Sequence, residues 1–260
     1  MADESGERVG PIETRELFRL GDPAERFESI FHSVALVAGA FVVAVALSSV
    51  GITMLSGVGI TSEATPALYE ALVTGVYFAG MLAVSLWYLD WQDEYDLIGL
   101  RWPTMRDVTI AIGGVIAVIA VISGLEILLQ AAGIEIAENS AVEAGRNNPE
   151  LYLYYIPVVL LLNSPGEELL FRGVVQGKLR QAFGVVPGVL GAAAIFGMVH
   201  YVALVGAGSQ LAYVGIAFLS GLVLGALYEY SGNFVVPVAV HAAWNIIVYV
   251  NLYLGATGGL

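Results

Sequence analysis

Six side chains, in three separate stretches, have the types and spacing for hydrolytic chemistry. "NSPGEELLFRG" carries Glu167, Glu168 and Arg172 within a strongly apolar region, "FGMVH" ends on His200, and "HAAWN" runs from His241 to Asn245. On a helix, Glu168 and Arg172 are four residues apart and pair along one face. Glu167 is turned about 100° from Glu168 and is free to point elsewhere. His241 and Asn245 share a face in the same way. A carboxylate within reach of a water serves as general base, and a histidine orients that water or carries its proton. A second histidine with an amide supplies donors for the oxygen of a carbonyl under attack. The same groups are ordinary ligands for a divalent metal such as zinc, with Glu167, His200 and His241 as the candidates. There is no His-Glu-x-x-His helix, so a metal would have to be gathered from separate spans. The simpler account makes Glu168–Arg172 a structural pair and each histidine a packing group, which leaves Glu167 as an extra buried carboxylate.

The elements that must position these groups are membrane helices. Hydrophobic residues make up 58% of the 260-residue chain and charged residues 13%, about half the charged share of an ordinary soluble domain. Mean hydropathy is +0.79. The apolar residues fall in blocks of about 20, the length that crosses the hydrocarbon layer. These predict spans over about 31–56, 68–89, 108–129, 151–183, 186–205, 211–228 and 234–254. The expected fold class is therefore all-α, a polytopic transmembrane bundle of about seven spans, with six to eight allowed. The fourth block is too long for one straight span. Pro157, Pro165 and Gly166 are its expected bends, with the last turns running along the interface. Trp87, Tyr88 and Trp91 read as an interfacial aromatic girdle, and small residues spaced along the later spans predict close helix contact.

Residues 1–30 form an acidic arm with an expected short surface helix around "ETRELFRL", and lack the basic start and prompt apolar core of a signal peptide. Residues 31–260 are expected to form one membrane domain, with the motif core at about 151–254. The chain has no cysteine, which excludes disulfide and thiolate chemistry. A net charge of −13 argues against a nucleic-acid partner. Lysine and arginine bias predicts a multi-pass cell-membrane protein with its N-terminus cytoplasmic: Arg8, Arg15, Arg19, Arg26, Arg101, Arg106, Lys178 and Arg180 then lie inside, and Arg146 outside. Ionisable groups inside spans are functional candidates by default. Glu126 is expected to be snorkelling or solvated near the outer boundary, and His32 to pack at the start of the first span.

Taken together, Glu-Glu-x-x-x-Arg (Glu167 to Arg172), Phe-x-x-x-His (Phe196 to His200) and His-x-x-x-Asn (His241 to Asn245) resemble the three signature motifs of the CPBP family. Its members include CAAX-type prenyl-protein endopeptidases and bacteriocin-processing and self-immunity proteins, also called Abi proteins. The resemblance is best over about 151–254, and "DLIGLRWP" also looks like the family. It implies that Glu167 is the catalytic glutamate, Glu168 its accessory partner and Arg172 a support for the carboxylates. It further implies that His200 holds or activates the water and that His241 and Asn245 form an oxyanion site. Family members are usually labelled metalloproteases, and the resemblance also allows direct activation of water by glutamate and histidine. The implied partners are a membrane-associated protein or peptide substrate, lipidated in the CAAX case, and membrane lipid.

Two other classes remain open from the sequence. A membrane scaffold or immunity factor could keep these motifs without catalysis. A proton-coupled transporter also uses intramembrane Glu and His, but should show paired repeats with broken helices at matching positions. Here the useful polar groups all lie in the second half of the chain, which disfavours transport.

Overall fold

The computed structural model describes residues 16–259. It is a helical bundle in which six helices are long and apolar enough to cross a membrane. These are α1 (Pro23–Gly57), α2 (Pro66–Gln92), α3 (Met105–Ala131), α8 (Val185–Val199, continued by a 3-10 turn to Ala203), α9 (Gln210–Ser231) and α10 (Val235–Thr257). A seventh helical rod, residues 150–183, is broken into short pieces. Those pieces are α5 (Glu150–Val158), a π-helical stretch (Val159–Asn163), α6 (Ser164–Glu168), a second π stretch (Leu169–Val175) and α7 (Gln176–Phe183). At 1.5 Å per residue the rod is roughly 50 Å long, well beyond the roughly 30 Å hydrocarbon layer. The expected all-α bundle is thus observed, with the spans within a few residues of their predicted bounds except the first, which starts at Pro23 rather than near residue 31.

Local sequence explains the element ends. Asp22 and Glu25 form a reciprocal capping box at the start of α1, and Thr104 and Asp107 form another at the start of α3, each satisfying amide donors that a helix N-terminus leaves free. Pro66 opens α2, where the missing N–H has no cost. Gly232, at φ 62°, ends α9 in the left-handed conformation that glycine adopts without strain and lets α10 turn back. Pro165 has no N–H to donate to residue 161, and its ring crowds that carbonyl. The rod widens there, and the Ser164 N–H bonds to the Val159 carbonyl five residues back, the π spacing that recurs at functional sites.

The last part of the rod is built into the bundle. α7 packs against α1 and α8 and buries Gln176, Lys178 and Leu179, because Lys178 finds Glu94 and Arg180 finds Glu229 as partners. The surface helix around "ETRELFRL" is not formed over its described part. Residues 16–22 instead run extended beside the α7–α8 turn, where the Arg19 and Gly21 amides donate to Phe183 and Ala182 carbonyls and Val185 donates to Glu16. Residues 13–15 of that segment lie outside the described residues. α1 begins at Pro23, so the arm is shorter than expected.

The main core gathers Leu170, Phe171, Val174 and Val175 of the rod with Met81 and Leu89 of α2 and Phe196 of α8. Between α3 and the rod, residues 132–149 carry a two-residue strand β1 (Glu138–Asn139) and the short α4 (Ser140–Arg146). β1 pairs antiparallel with β2 (Leu204–Val205) after α8, tying the two polar loops together at one end of the bundle.

Candidate active site

The three motifs converge on the middle of the broken rod. Glu168 and Arg172 are 0% and 1% exposed and form the expected pair at 2.9 Å. The guanidinium also donates to the Gly221 carbonyl of α9 at 3.4 Å and sits 4.4 Å over the Phe196 ring. Gly221 makes that approach possible: a Cβ there would stand 3.2 Å from Ala193 of α8, so the small residue sets the α8–α9 spacing. A buried ion pair needs such added partners to offset its lost hydration.

His241 bridges the two glutamates. Its Nδ1 lies 2.7 Å from Glu168 Oε1, and its Nε2 lies 3.7 Å from Glu167 Oε2. Because the carboxylate only accepts, Nδ1 carries the hydrogen and donates. This fixes the orientation of the ring and aims Nε2 at Glu167, the arrangement by which a carboxylate positions a working imidazole. Glu167 has a second neighbour that the sequence reading assigned no role. Asn163 Nδ2 donates to Glu167 Oε1 at 3.2 Å, while Asn163 Oδ1 accepts from Asn245 Nδ2 at 3.1 Å. Asn245 therefore reaches Glu167 through Asn163. The signal was present in the sequence: a polar residue inside an apolar run, four positions before the glutamate, at the spacing that places both on one helix face.

His200 stands apart from this hydrogen-bonded group. Its Nδ1 donates to the Phe196 carbonyl one turn back at 2.7 Å, which leaves Nε2 open, and its ring lies near that of Tyr213, 6.4 Å between centroids. Tyr213 in turn accepts from Asn139 Nδ2 of β1 at 3.3 Å. His200 belongs to the same site through the space it faces. A cavity of ≈ 1340 Å³ is lined by Asn163, Glu167, His200, Tyr213, His241 and Asn245 together with a largely apolar wall. Glu168 and Arg172 lie behind the wall. The exposed Glu126 also lines the cavity, so it is a rim residue of this space as well as a solvated one. His32 packs on α2, with Nδ1 2.8 Å from the Tyr88 hydroxyl, as its position suggested.

The donor set does not resemble a metal centre. Among the described residues no three His, Asp or Glu side chains converge as ligands. His241 Nδ1 is committed to Glu168, and Glu167 Oε1 to Asn163. The trio Glu167, His200 and His241 is therefore not assembled as a metal centre.

Residues 149–247, which contain all six motif residues, match the family model described as type II CAAX prenyl endopeptidase, Rce1-like. No curated protein and no solved structure matches the chain. The motif-bearing segment of this multi-pass membrane protein is thus similar to type II CAAX prenyl endopeptidases of the Rce1-like kind, in line with the resemblance of its motifs.

Proposed function

We propose that the protein is an intramembrane endopeptidase that hydrolyses a peptide bond of a membrane-associated chain with a water activated by Glu167. The observation that carries this reading is the placement of Glu167. Its Oε2 faces the cavity beside His241 Nε2, while Asn163 holds its other oxygen and the Glu168–Arg172 pair holds His241 from behind. Glu167 takes one proton from the water as the water oxygen bonds to the carbonyl carbon. The carbonyl oxygen gains the negative charge, which the open N–H of the Asn245 amide and, in its imidazolium form, His241 Nε2–H are suited to receive. The C–N bond then breaks as Glu167 returns its proton to the amine. His200, with Nε2 open to the cavity, orients the water or relays a proton. The apolar wall accommodates a hydrophobic or lipidated segment, as suits a relative of CAAX endopeptidases.

The test is cleavage of a membrane-anchored reporter by the purified, reconstituted protein in ¹⁸O-water. Hydrolysis by this route places one ¹⁸O in the new carboxylate, and the rate survives treatment with a strong chelator. Loss of activity on chelation that zinc alone restores would overturn the metal-independent mechanism. A well-folded protein that cuts no anchored reporter would favour the scaffold reading instead.

A further inference from the structure

The active-site cavity has a second polar wall that the three motifs do not contain. Residues 136–142, at the end of the bundle where β1 pairs with β2, line the cavity, and so does Tyr213 in the first turn of α9. The Asn139 amide is fixed on both sides. Its Oδ1 accepts from the Ala141 N–H at 2.9 Å and caps α4, which turns Nδ2 toward the Tyr213 oxygen at 3.3 Å. An amide nitrogen only donates, so the phenol oxygen is the acceptor in this contact and still has its own hydrogen to give. Among the described residues no protein acceptor takes that hydrogen. The Tyr213 ring lies nearly parallel to that of His200, at 27° with 6.4 Å between centroids. Tyr77 and Tyr249 line the cavity too, but Tyr77 packs on Phe41 and Phe78, and Tyr249 on Tyr152 and Tyr155. Of the three, Tyr213 is the one that stands against His200.

We propose that Tyr213 binds the substrate directly, its O–H donating to a backbone carbonyl that flanks the scissile bond, while Asn139 holds the phenol oxygen so that the hydrogen is left for the bound chain. A donor facing a largely apolar space is costly to leave without an acceptor, and a polypeptide offers a carbonyl at every residue. The oxygen of the reacting carbonyl already has its donors in Asn245 and His241 of α10. Tyr213, on α9 beside His200, is therefore assigned to a neighbouring carbonyl and not to the reacting one. Asn139 is a positioning residue in this arrangement. It pairs in the β ladder with Leu204, four residues after His200, so the phenol and the imidazole are held in one frame. Entry of a polypeptide rests on the endopeptidase reading; the uncommitted Tyr213 hydrogen does not.

Two substitutions separate substrate binding from a merely structural tie. Tyr213→Phe keeps the ring and removes the hydrogen. Asn139→Asp keeps the α4 cap, but its carboxylate only accepts and draws the Tyr213 hydrogen to itself in a charge-assisted bond. A tyrosine that did no more than tie β1 to α9 would tolerate Asn139→Asp, since the tie survives. Both variants are instead expected to cleave an anchored reporter roughly ten-fold more slowly after reconstitution, with thermal midpoints close to wild type. Reporters in which one backbone carbonyl at a time becomes a thiocarbonyl, a weaker acceptor, locate the contact. Wild type should slow at one flanking position, and both variants should be insensitive there. A wild-type rate for either variant, or equal sensitivity of wild type and Tyr213→Phe at every flanking position, overturns the assignment. Binding of the same reporter in a Glu167→Gln background reads the contact without cleavage, and adding Tyr213→Phe should weaken it by roughly 3–10-fold. That weakening, with no cleavage by the unaltered protein, removes the endopeptidase reading and leaves Tyr213 as a binding group. Unchanged or absent binding overturns the assignment whatever the cleavage result.

Discussion

Replacing Arg172 by methionine isolates what holds the buried carboxylate. Glu168 is 0% exposed and Arg172 1%, so water cannot take over when the guanidinium is lost. Breaking a buried pair by removing one partner costs about 3–5 kcal/mol, because the other charge is left uncompensated. The contact with the Phe196 ring adds roughly 0.5–2 kcal/mol. Against this, His241 still donates to Glu168 at 2.7 Å, and the methionine retains some packing, so the net loss should stay near 3–5 kcal/mol. For a chain of this size each kcal/mol shifts the midpoint by about 2–4 °C, giving a fall of roughly 6–20 °C. Tryptophan fluorescence during heating of the detergent-solubilised protein reads this directly, since the chain has four tryptophans. The double variant Glu168→Gln, Arg172→Met removes the charge as well as its partner. It should be more stable than Arg172→Met alone by about 1–3 kcal/mol, the coupling expected of contacting residues. It should still be impaired in cleavage, because a glutamine fixes His241 less firmly. An Arg172→Met stability within about 1 kcal/mol of wild type, or strictly additive single and double effects, would show that Arg172 does not hold the Glu168 charge.

Three further substitutions test the supports of the site. Asn163→Ala removes the link between Asn245 and Glu167, worth about 1–3 kcal/mol, and should slow single-turnover cleavage by roughly 10–100-fold while the protein still purifies as a folded monodisperse species. Gly197→Ala places a Cβ 2.9 Å from the Val214 carbonyl and 3.1 Å from Phe218 Cβ. α8 and α9 must then separate, which should lower stability by about 1–3 kcal/mol and lower activity through His200, measured on the same sample. Arg101 grips Asp107 with two bonds, at 2.6 and 2.7 Å. Arg101→Lys keeps the charge but loses the fork and should destabilise by about 1–2 kcal/mol in thermal unfolding, with cleavage at permissive temperature unchanged.

Much of this arrangement could be read from the chain because it depends on short periods. Span bounds follow from blocks of apolar residues, and the Glu168–Arg172 pair follows from a spacing of four. The bends in the rod were legible from Pro157 and Pro165, but not their form, since a π turn depends on which carbonyl the freed amides find. The link from Glu168 to His241 joins residues 73 positions apart, and no local period encodes it. For this reason the sequence shows His241 on one face with Asn245 but not its contact with Glu168, whereas in the fold it bridges both glutamates. Asn163 was visible as a polar residue in an apolar run, yet its two amide contacts exist only once α10 packs beside the rod. The cavity, and the end at which it lies, are properties of helix packing that composition does not carry.

Glu167→Gln is the most direct test of the proposal that Glu167 takes the proton from the attacking water. The amide keeps the size and the Asn163 contact region but cannot act as base. Single-turnover cleavage of an anchored reporter by the reconstituted variant should fall by about 10²–10⁴-fold, the usual share of a general base, with the thermal midpoint within a few degrees of wild type. A Glu167→Gln protein that cleaves at the wild-type rate would contradict the mechanism.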